Sequence, residues 1–391
     1  MILIKNGKIL TMCGPAIDCG YVLIEGKKIF EVGKDIDTSK YQITQTIDAK
    51  GLWVMPGLIE SHCHIGITEE KKGFEGDDCN EMKDPITPYI RAIDAINPMD
   101  SAFHNAVSSG ITSVMSGPGS SNIVGGQFAF IKTSGRFIDE MAVLQPAAMK
   151  VAFGENPKSN YNELKEVPTT RMTIAALLRE ELFKAKLYQK EKQDSEKNGE
   201  PFELNFRREC WLPILDKKIP LKAHAHRTDD ILTAIRIAKE FDLNLTLDHC
   251  TEGYLIAPLI KESGFPAIIG PGFASRSKIE TQNMDFKNAG ILSKAGVKVA
   301  ITTDHPVSRI QYLPICAGFA VKEGLPMEDG FKAITLNAAE ICNVSDRLGS
   351  IQAGKDADIA IFDGNPMEVF TNTIYTIIDG QIIYDKNHRN N

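Results

Sequence analysis

Five apolar, strand-like runs in this chain each lead to side chains able to bind a metal ion, and that repetition is its most constraining feature. Residues 52–59, broken by Pro56-Gly57, run into His62-Cys63-His64. The run 149–154 ends at Glu155, 219–223 at His224, 243–248 at His249, and 297–303 at Asp304. Residues two apart on a strand point to the same side. His62 and His64 therefore form a short pincer with Cys63 turned away, and His226 shares a face with His224. One polar residue after a strand is commonly a helix cap or turn former. Glu, His, His and Asp in succession after a His-x-His are what a (β/α)8 TIM barrel presents at its C-terminal rim, where metal and substrate sites collect.

The intervening sequence supports an α/β barrel. In 228–241, Thr228 reads as an N-cap, Asp229 and Asp230 suit the positive helix end, and Ile231, Ala234, Ile235, Ala238 and Phe241 form an apolar stripe. A strand follows directly, giving the alternation expected of a parallel barrel. Residues 180–208 read as a long charged helix with a solvated tail. The segment 116–127 is a glycine-rich loop lacking Gly-Lys-Ser/Thr, so it is no nucleotide cradle.

The ends look different. Residues 1–56 read as short strands turning at Asn6-Gly7 and Glu25-Gly26. The C-terminal stretch offers a strand at 356–362, a turn at 363–366 and a hairpin around Asp379-Gly380. Neither piece alone has strands enough for a stable sheet. The expectation is one composite β-sandwich domain from 1–56 plus 345–391, with a catalytic barrel over 57–344 inserted.

Composition narrows the function. A chain of 391 residues can bury a large core, and 43% hydrophobic with 24% charged residues is ordinary for a globular protein. A net charge of −7 argues against nucleic-acid or anionic-membrane binding, which need a basic surface. No apolar run reaches the roughly 18 residues of a membrane span, and the N-terminus has no basic start or cleavage site. A cytoplasmic enzyme acting on a small-molecule substrate is expected, with homo-oligomerisation left open. The eight cysteines include no Cys-x-x-Cys pair and read as buried apolar residues.

With these residues in view, the chain resembles the amidohydrolase superfamily over nearly its whole length. The carriers are Val54-Met-Pro-Gly-Leu-Ile-Glu-Ser-His-Cys-His64, the strand-end residues, and Leu348-Gly-Ser-Ile-Gln-Ala-Gly-Lys-Asp-Ala-Asp358. Lys222-Ala-His-Ala-His-Arg227 and Asp248-His249 look most like the branch holding imidazolonepropionase and prolidase-like metallopeptidases. The resemblance implies that His62, His64 and Asp304 bind a first metal, and that His224 and His249 hold a second or contact substrate. Many two-metal members place a carboxylated lysine on strand four, where this chain offers Glu155 as the ligand. One or two divalent ions are implied, zinc first, with iron, manganese or nickel as alternatives.

Imidazole and carboxylate ligands suit such ions, and a bound ion can lower the pKa of its water from 15.7 to about 7. The implied activity is hydrolysis of an amide, cyclic amide or small peptide-like C–N bond by a metal-activated water. Asp304 would act as ligand and proton shuttle. His226 would polarise the substrate carbonyl or replace His224 as ligand. Deamination of an amidine or aminopurine-like ring is the alternative, but deaminases of this superfamily typically carry His-x-x-Glu on strand five, and His224 is followed by Ala-His-Arg. The strand-five run also differs from the His-Ala-Asp of imidazolonepropionase itself. A non-catalytic scaffold would be expected to have lost ligands that this chain keeps. His305 and His104 read as structural.

Overall fold

The computed structural model describes residues 1–70 and 73–388, apart from the His388 side chain. The first strands are β1 (Ile2–Ile9), β2 (Ile17–Glu25), β3 (Lys28–Gly33), β4 (Gln45–Asp48) and β5 (Trp53–Pro56). Next come β6 (Leu58–Cys63), β7 (Ile111–Ser116), β8 (Val124–Lys132), β9 (Ala142–Ala152), β10 (Leu221–Ala225), β11 (Leu245–His249), β12 (Ala267–Ile269) and β13 (Val299–Ile301). The last are β14 (Ile359–Phe362), β15 (Thr373–Ile378) and β16 (Gln381–Asp385).

Both ends of the chain build one sheet, in the order β16-β15-β14-β5-β1-β2-β3 with β4 beside β1. Its seam is the antiparallel pairing of β14 with β5, Ile359 opposite Pro56 and Phe362 opposite Trp53. Alternate residues such as Ile4, Val22, Ile359 and Ile377 are buried together and hold the sheet to the rest of this β-rich unit. The hairpins at Gly26 and Asp379-Gly380 are present. The turn expected at Asn6-Gly7 is not: β1 runs through it, with Asn6 at a φ of 59° and a register shift against β2. An Asn-Gly pair suits left-handed backbone, and here it makes a bulge within one strand. Pro56-Gly57 does divide the apolar run, handing the chain from one sheet to the other.

Strands β6–β13 form the second sheet, a nearly closed eight-stranded TIM-type barrel. One part departs from uniform βα alternation: β7–β8 and β8–β9 are antiparallel. Only residues 117–123 separate β7 from β8, and a parallel crossover needs a dozen or more. Part of the expected glycine-rich loop, from Val124, is therefore strand. The charged helix spans Arg171–Asn198. Thr228 is the first residue of its helix rather than the cap, and its N–H donates to Glu252 Oε2 at 2.8 Å. No helix among the described residues is long and apolar enough to cross a membrane.

Side chains complete the contact between the first and last barrel strands. Glu60 on β6 is fully buried. Its Oε2 accepts from Thr303 N at 2.8 Å and Thr303 Oγ1 at 2.6 Å, and its Oε1 accepts from Thr302 Oγ1 at 2.6 Å. Nearby, His64 N donates to His305 O at 2.8 Å. These bonds place His62 and Asp304 side by side although 240-odd residues separate them in the chain. Glu60→Ala would leave those buried donors without an acceptor and should cost roughly 2–4 kcal/mol in urea unfolding. A loss below about 0.5 kcal/mol would show that the strands are held together by other means.

Candidate metal and substrate site

At the rim of the barrel the strand-end side chains gather into two groups. In the first, His62 Nε2 and His64 Nε2 lie 3.4 and 3.3 Å from Asp304 Oδ1. In the second, the ligand atoms of His224, His226 and His249 all lie within 4.8 Å of one another. Every one of these residues is buried. Asp304 and His249 both adopt left-handed backbone, at φ of 53° and 66°. Such conformations are uncommon for residues with a Cβ and tend to collect at functional sites. Here they turn a side chain inward just where the strand ends.

Hydrogen bonding fixes which nitrogen two of the rings, His64 and His249, present. His64 Nδ1 lies 2.7 Å from Gly117 O, and His249 Nδ1 lies 2.7 Å from Gly270 O. A carbonyl can only accept, so Nδ1 carries a proton and Nε2 is the nitrogen turned toward the cavity. His62 Nδ1 faces Asp248 Oδ2 at 3.1 Å, and His226 Nδ1 faces Thr251 Oγ1 at 2.7 Å. Oxygen partners behind the imidazole are the arrangement typical of metal-ligating histidines. Asp304 Oδ1 is buried without a hydrogen-bond partner, as an oxygen reserved for a cation would be. The residues present therefore fit a divalent ion.

Burial, then the positive charge of Lys150, pushes His62 down to about 3, so it is neutral. Burial also lowers His224 and His226, each further depressed by His249. His64 runs the other way: burial opposes its charge, but Cys79 and Asp304 raise it to about 10. Burial would raise Asp304, yet His249, His62 and His64 hold its carboxyl well below the ordinary carboxylate range.

Beneath the imidazoles lies a buried layer that sequence patterning did not expose. Asp248 Oδ1 accepts from Lys222 Nζ at 3.1 Å and from Thr246 Oγ1 at 3.2 Å. Lys150 Nζ stands 3.4 Å from His62 Nε2 and 3.9 Å from Asp248 Oδ2. Burial lowers Lys150 to about 8. A lysine inside an otherwise apolar strand, as at 150 and 222, was the available signal, because an unpaired buried charge is too costly to be incidental. Cys79 and Glu280 come from loops with no periodicity to mark them.

Glu155 falls elsewhere. Gly154 leaves β9 with a φ of 87°, and Glu155 opens the helix Glu155–Leu164. Its carboxylate accepts from Glu280 N at 3.3 Å, and it borders a side cavity with Lys158 and Arg227. It joins neither group of candidate ligands. The strand-four side chain between the groups is Lys150. His305 points away, its Nδ1 accepting from Ile310 N at 3.2 Å, and His104 is exposed on a surface helix. Cys63 faces Met115 O at 3.6 Å, away from the ligands.

Both groups face one cavity of about 450 Å³, also reached by Lys150, Cys79, Ser120, Asn156 and Lys278. Known proteins share this architecture. A crystal structure of an amidohydrolase from Thermotoga maritima MSB8 superposes with a TM-score of 0.95 at 39% identity, over 99% of this chain and 100% of that one. The chain belongs to the amidohydrolase family. The Amidohydrolase family model matches residues 224–384. This amidohydrolase is 28% identical to amidohydrolase tasK of Hapsidospora irregularis across 94% of its length, and spans 40% of that longer protein. It is 24% identical to an imidazolonepropionase of Fusobacterium nucleatum, over 94% of this chain and 92% of the other. The family is one of hydrolases acting on carbon–nitrogen bonds, and its members typically bind divalent metals.

Asp248→Asn tests the layer beneath the site. It would strand Lys222 and Lys150 with too little negative charge and free His62 to turn. Stability should fall by roughly 3–5 kcal/mol and zinc affinity by about 10–100-fold, read by denaturation and zinc titration. Unchanged values for both would mean that Asp248 neither compensates the lysines nor orients His62.

Proposed function

We propose that this amidohydrolase uses one or two divalent ions, zinc foremost, to hydrolyse an amide or cyclic amide C–N bond in a small molecule. The observation that carries this reading is that His62/His64/Asp304 and His224/His226/His249 present their ligand atoms to a single cavity. Residues His62, His64 and Asp304 would hold one ion, and His224, His226 and His249 another. Bound there, a divalent ion supplies Lewis-acid polarisation of a water and of the scissile carbonyl.

The chain's own side chains do the rest. Asp304, ionised at neutral pH, accepts the proton of the attacking water on its carboxylate and returns it to the departing nitrogen. His226 is neutral, and with Nδ1 toward Thr251 its Nε2 serves as third nitrogen of the second group; contact with the substrate carbonyl is its other role. The pocket walls hold substrate against Asp304 and limit water access. Lys150 takes the strand-four position. An amine lowered to about 8 is partly neutral near that pH and can add carbon dioxide, releasing a proton and becoming a carbamate. That would exchange a buried cation for the carboxylate that strand four otherwise lacks.

Asp304→Asn should reduce turnover by about 10²-fold or more while zinc at the second group and the fold persist. Near-full turnover of an amide substrate by the zinc-loaded variant would move the shuttle role away from Asp304. Stripping with a chelator should abolish activity and zinc should restore it. Activity indifferent to thorough stripping would defeat the metal-dependent reading, and release of ammonia from an amidine or aminopurine-like ring would favour deamination.

Reloading should also depend on carbon dioxide. Stripped protein given zinc in degassed buffer should recover slowly, bicarbonate should speed recovery, and Lys150→Ala should not recover. Recovery that ignores bicarbonate would argue for an unmodified Lys150.

A further inference from the structure

The second group of candidate ligands has a charge deficit. His224, His226 and His249 are neutral imidazoles, and Lys278 adds positive charge nearby, as does Lys150 for as long as it is not carbamylated. Asp304, the anionic member of the other group, is paired with His62 and His64. Three imidazoles can hold a divalent ion, but a carboxylate beside them offsets charge that a buried site cannot leave to water.

Glu280 meets that need. It lies in the short turn Ile279–Thr281, within the segment 270–286 that follows β12, yet its side chain is fully buried. Its Oε1 has no hydrogen-bond partner and stands 3.8 Å from both His224 Nε2 and His226 Nε2. Ligand atoms around a tetrahedral zinc, each about 2.0–2.2 Å from the metal, are themselves about 3.4 Å apart. The other oxygen is tied down: Glu280 Oε2 accepts from Glu155 N at 2.7 Å, and Glu280 N donates back to Glu155 Oε2 at 3.3 Å. This reciprocal clasp fixes the carboxylate plane with Oε1 turned to the imidazoles. Gly154 leaves room for it, since a Cβ there would lie 2.6 Å from Glu280 Oε2.

We infer that Glu280 is the carboxylate ligand that completes the His224/His226/His249 group, so that loading this group with a divalent cation pins segment 270–286 across the cavity. The inference rests on the proposed reading of the two groups as metal sites. Segment 270–286 supplies Gly270, Gly272, Ser275, Lys278 and Phe286 to the cavity wall. Tying its one buried carboxylate to an ion on β10 and β11 would couple metal loading to the shape of the substrate pocket. Glu155 then acts one step back, as the residue that positions Glu280.

The test uses zinc alone as probe and needs no substrate. Full-length wild type and Glu280→Gln are stripped and titrated with zinc against a chromophoric chelator, with circular dichroism and melting followed in parallel. The variant should keep its fold and lose at least ten-fold in zinc affinity at one site, the other site being unchanged. Trypsin supplies a second readout, because Arg276 and Lys278 are exposed in the segment. Zinc should slow cleavage there in wild type but not in Glu280→Gln. Glu280→Asp, which keeps the charge on a shorter arm, should fall between them, and is read instead if the glutamine variant does not fold. Zinc binding unchanged within three-fold, with zinc protection intact, would overturn the Glu280 assignment alone. Failure of the wild type to bind zinc at all would overturn both it and the reading on which it rests.

Discussion

The buried carboxylate of Asp248 is the interaction on which this site depends. It lies inside the barrel within reach of two buried lysines and the His62 ring, at 3.1 Å from Lys222 Nζ and 3.1 Å from His62 Nδ1. Burial alone would raise its pKa, but Lys222 and His62 pull it far below the ordinary carboxylate range. The low-dielectric interior makes these attractions strong and makes any unpaired member of the set expensive. Lys222 also donates to Ser61 O at 3.1 Å, so the charge layer is tied directly to the strand that carries His62 and His64. Phe128 lies beneath, 5.6 Å from the ammonium of both Lys150 and Lys222.

Above that layer, geometry does the selecting. Glu60 draws the last strand against the first, and left-handed backbone at His249 and Asp304 swings both side chains inward. Carbonyl oxygens of Gly117 and Gly270 hold two of the rings by Nδ1, so that Nε2 faces the cavity. Glu60, Gly117 and Gly270 are not themselves candidate ligands, yet each decides where a ligand points. The β-rich unit is joined to the barrel by similar means: Lys132 on β8 lies 2.7 Å from Asp358 Oδ1 and 3.2 Å from Asp356 Oδ2, all three nearly inaccessible to solvent. That contact explains why the termini, remote from the chemistry, pack against the barrel as they do.

The strand-end pattern made most of this legible in the linear sequence. Alternation along an apolar run determined that His62 and His64, and likewise His224 and His226, share a face, because a strand repeats every two residues whatever surrounds it. The barrel class followed from several such runs, and Asp304 from its place after the last of them. Local rules failed where local conformation had two outcomes. Asn6-Gly7 suits a hairpin and a bulge equally, and pairing with both β2 and β5 selected the bulge. Glu155 followed a strand just as His224 and Asp304 are near strand ends, but the left-handed turn at Gly154 sent it into a helix. The antiparallel β7–β8–β9 segment needed the length of the 117–123 connection to be weighed against the general barrel pattern.

What the sequence alone determined, then, was several of the strands and the side chains sharing a face on each, properties of neighbours in the chain. Which strand ends meet was decided only by the tertiary structure. Lys150 became the strand-four residue of the site because closure of the barrel buried it 3.4 Å from His62, and Asp248 its counter-charge because β10 and β11 pair in parallel with His224 opposite Asp248. Glu280, on a loop without periodicity, reached the imidazoles through its clasp with Glu155, 125 residues away. Side-chain periodicity is a short-range consequence of backbone geometry, whereas the pairing of buried charges is set by which distant segments exclude water together.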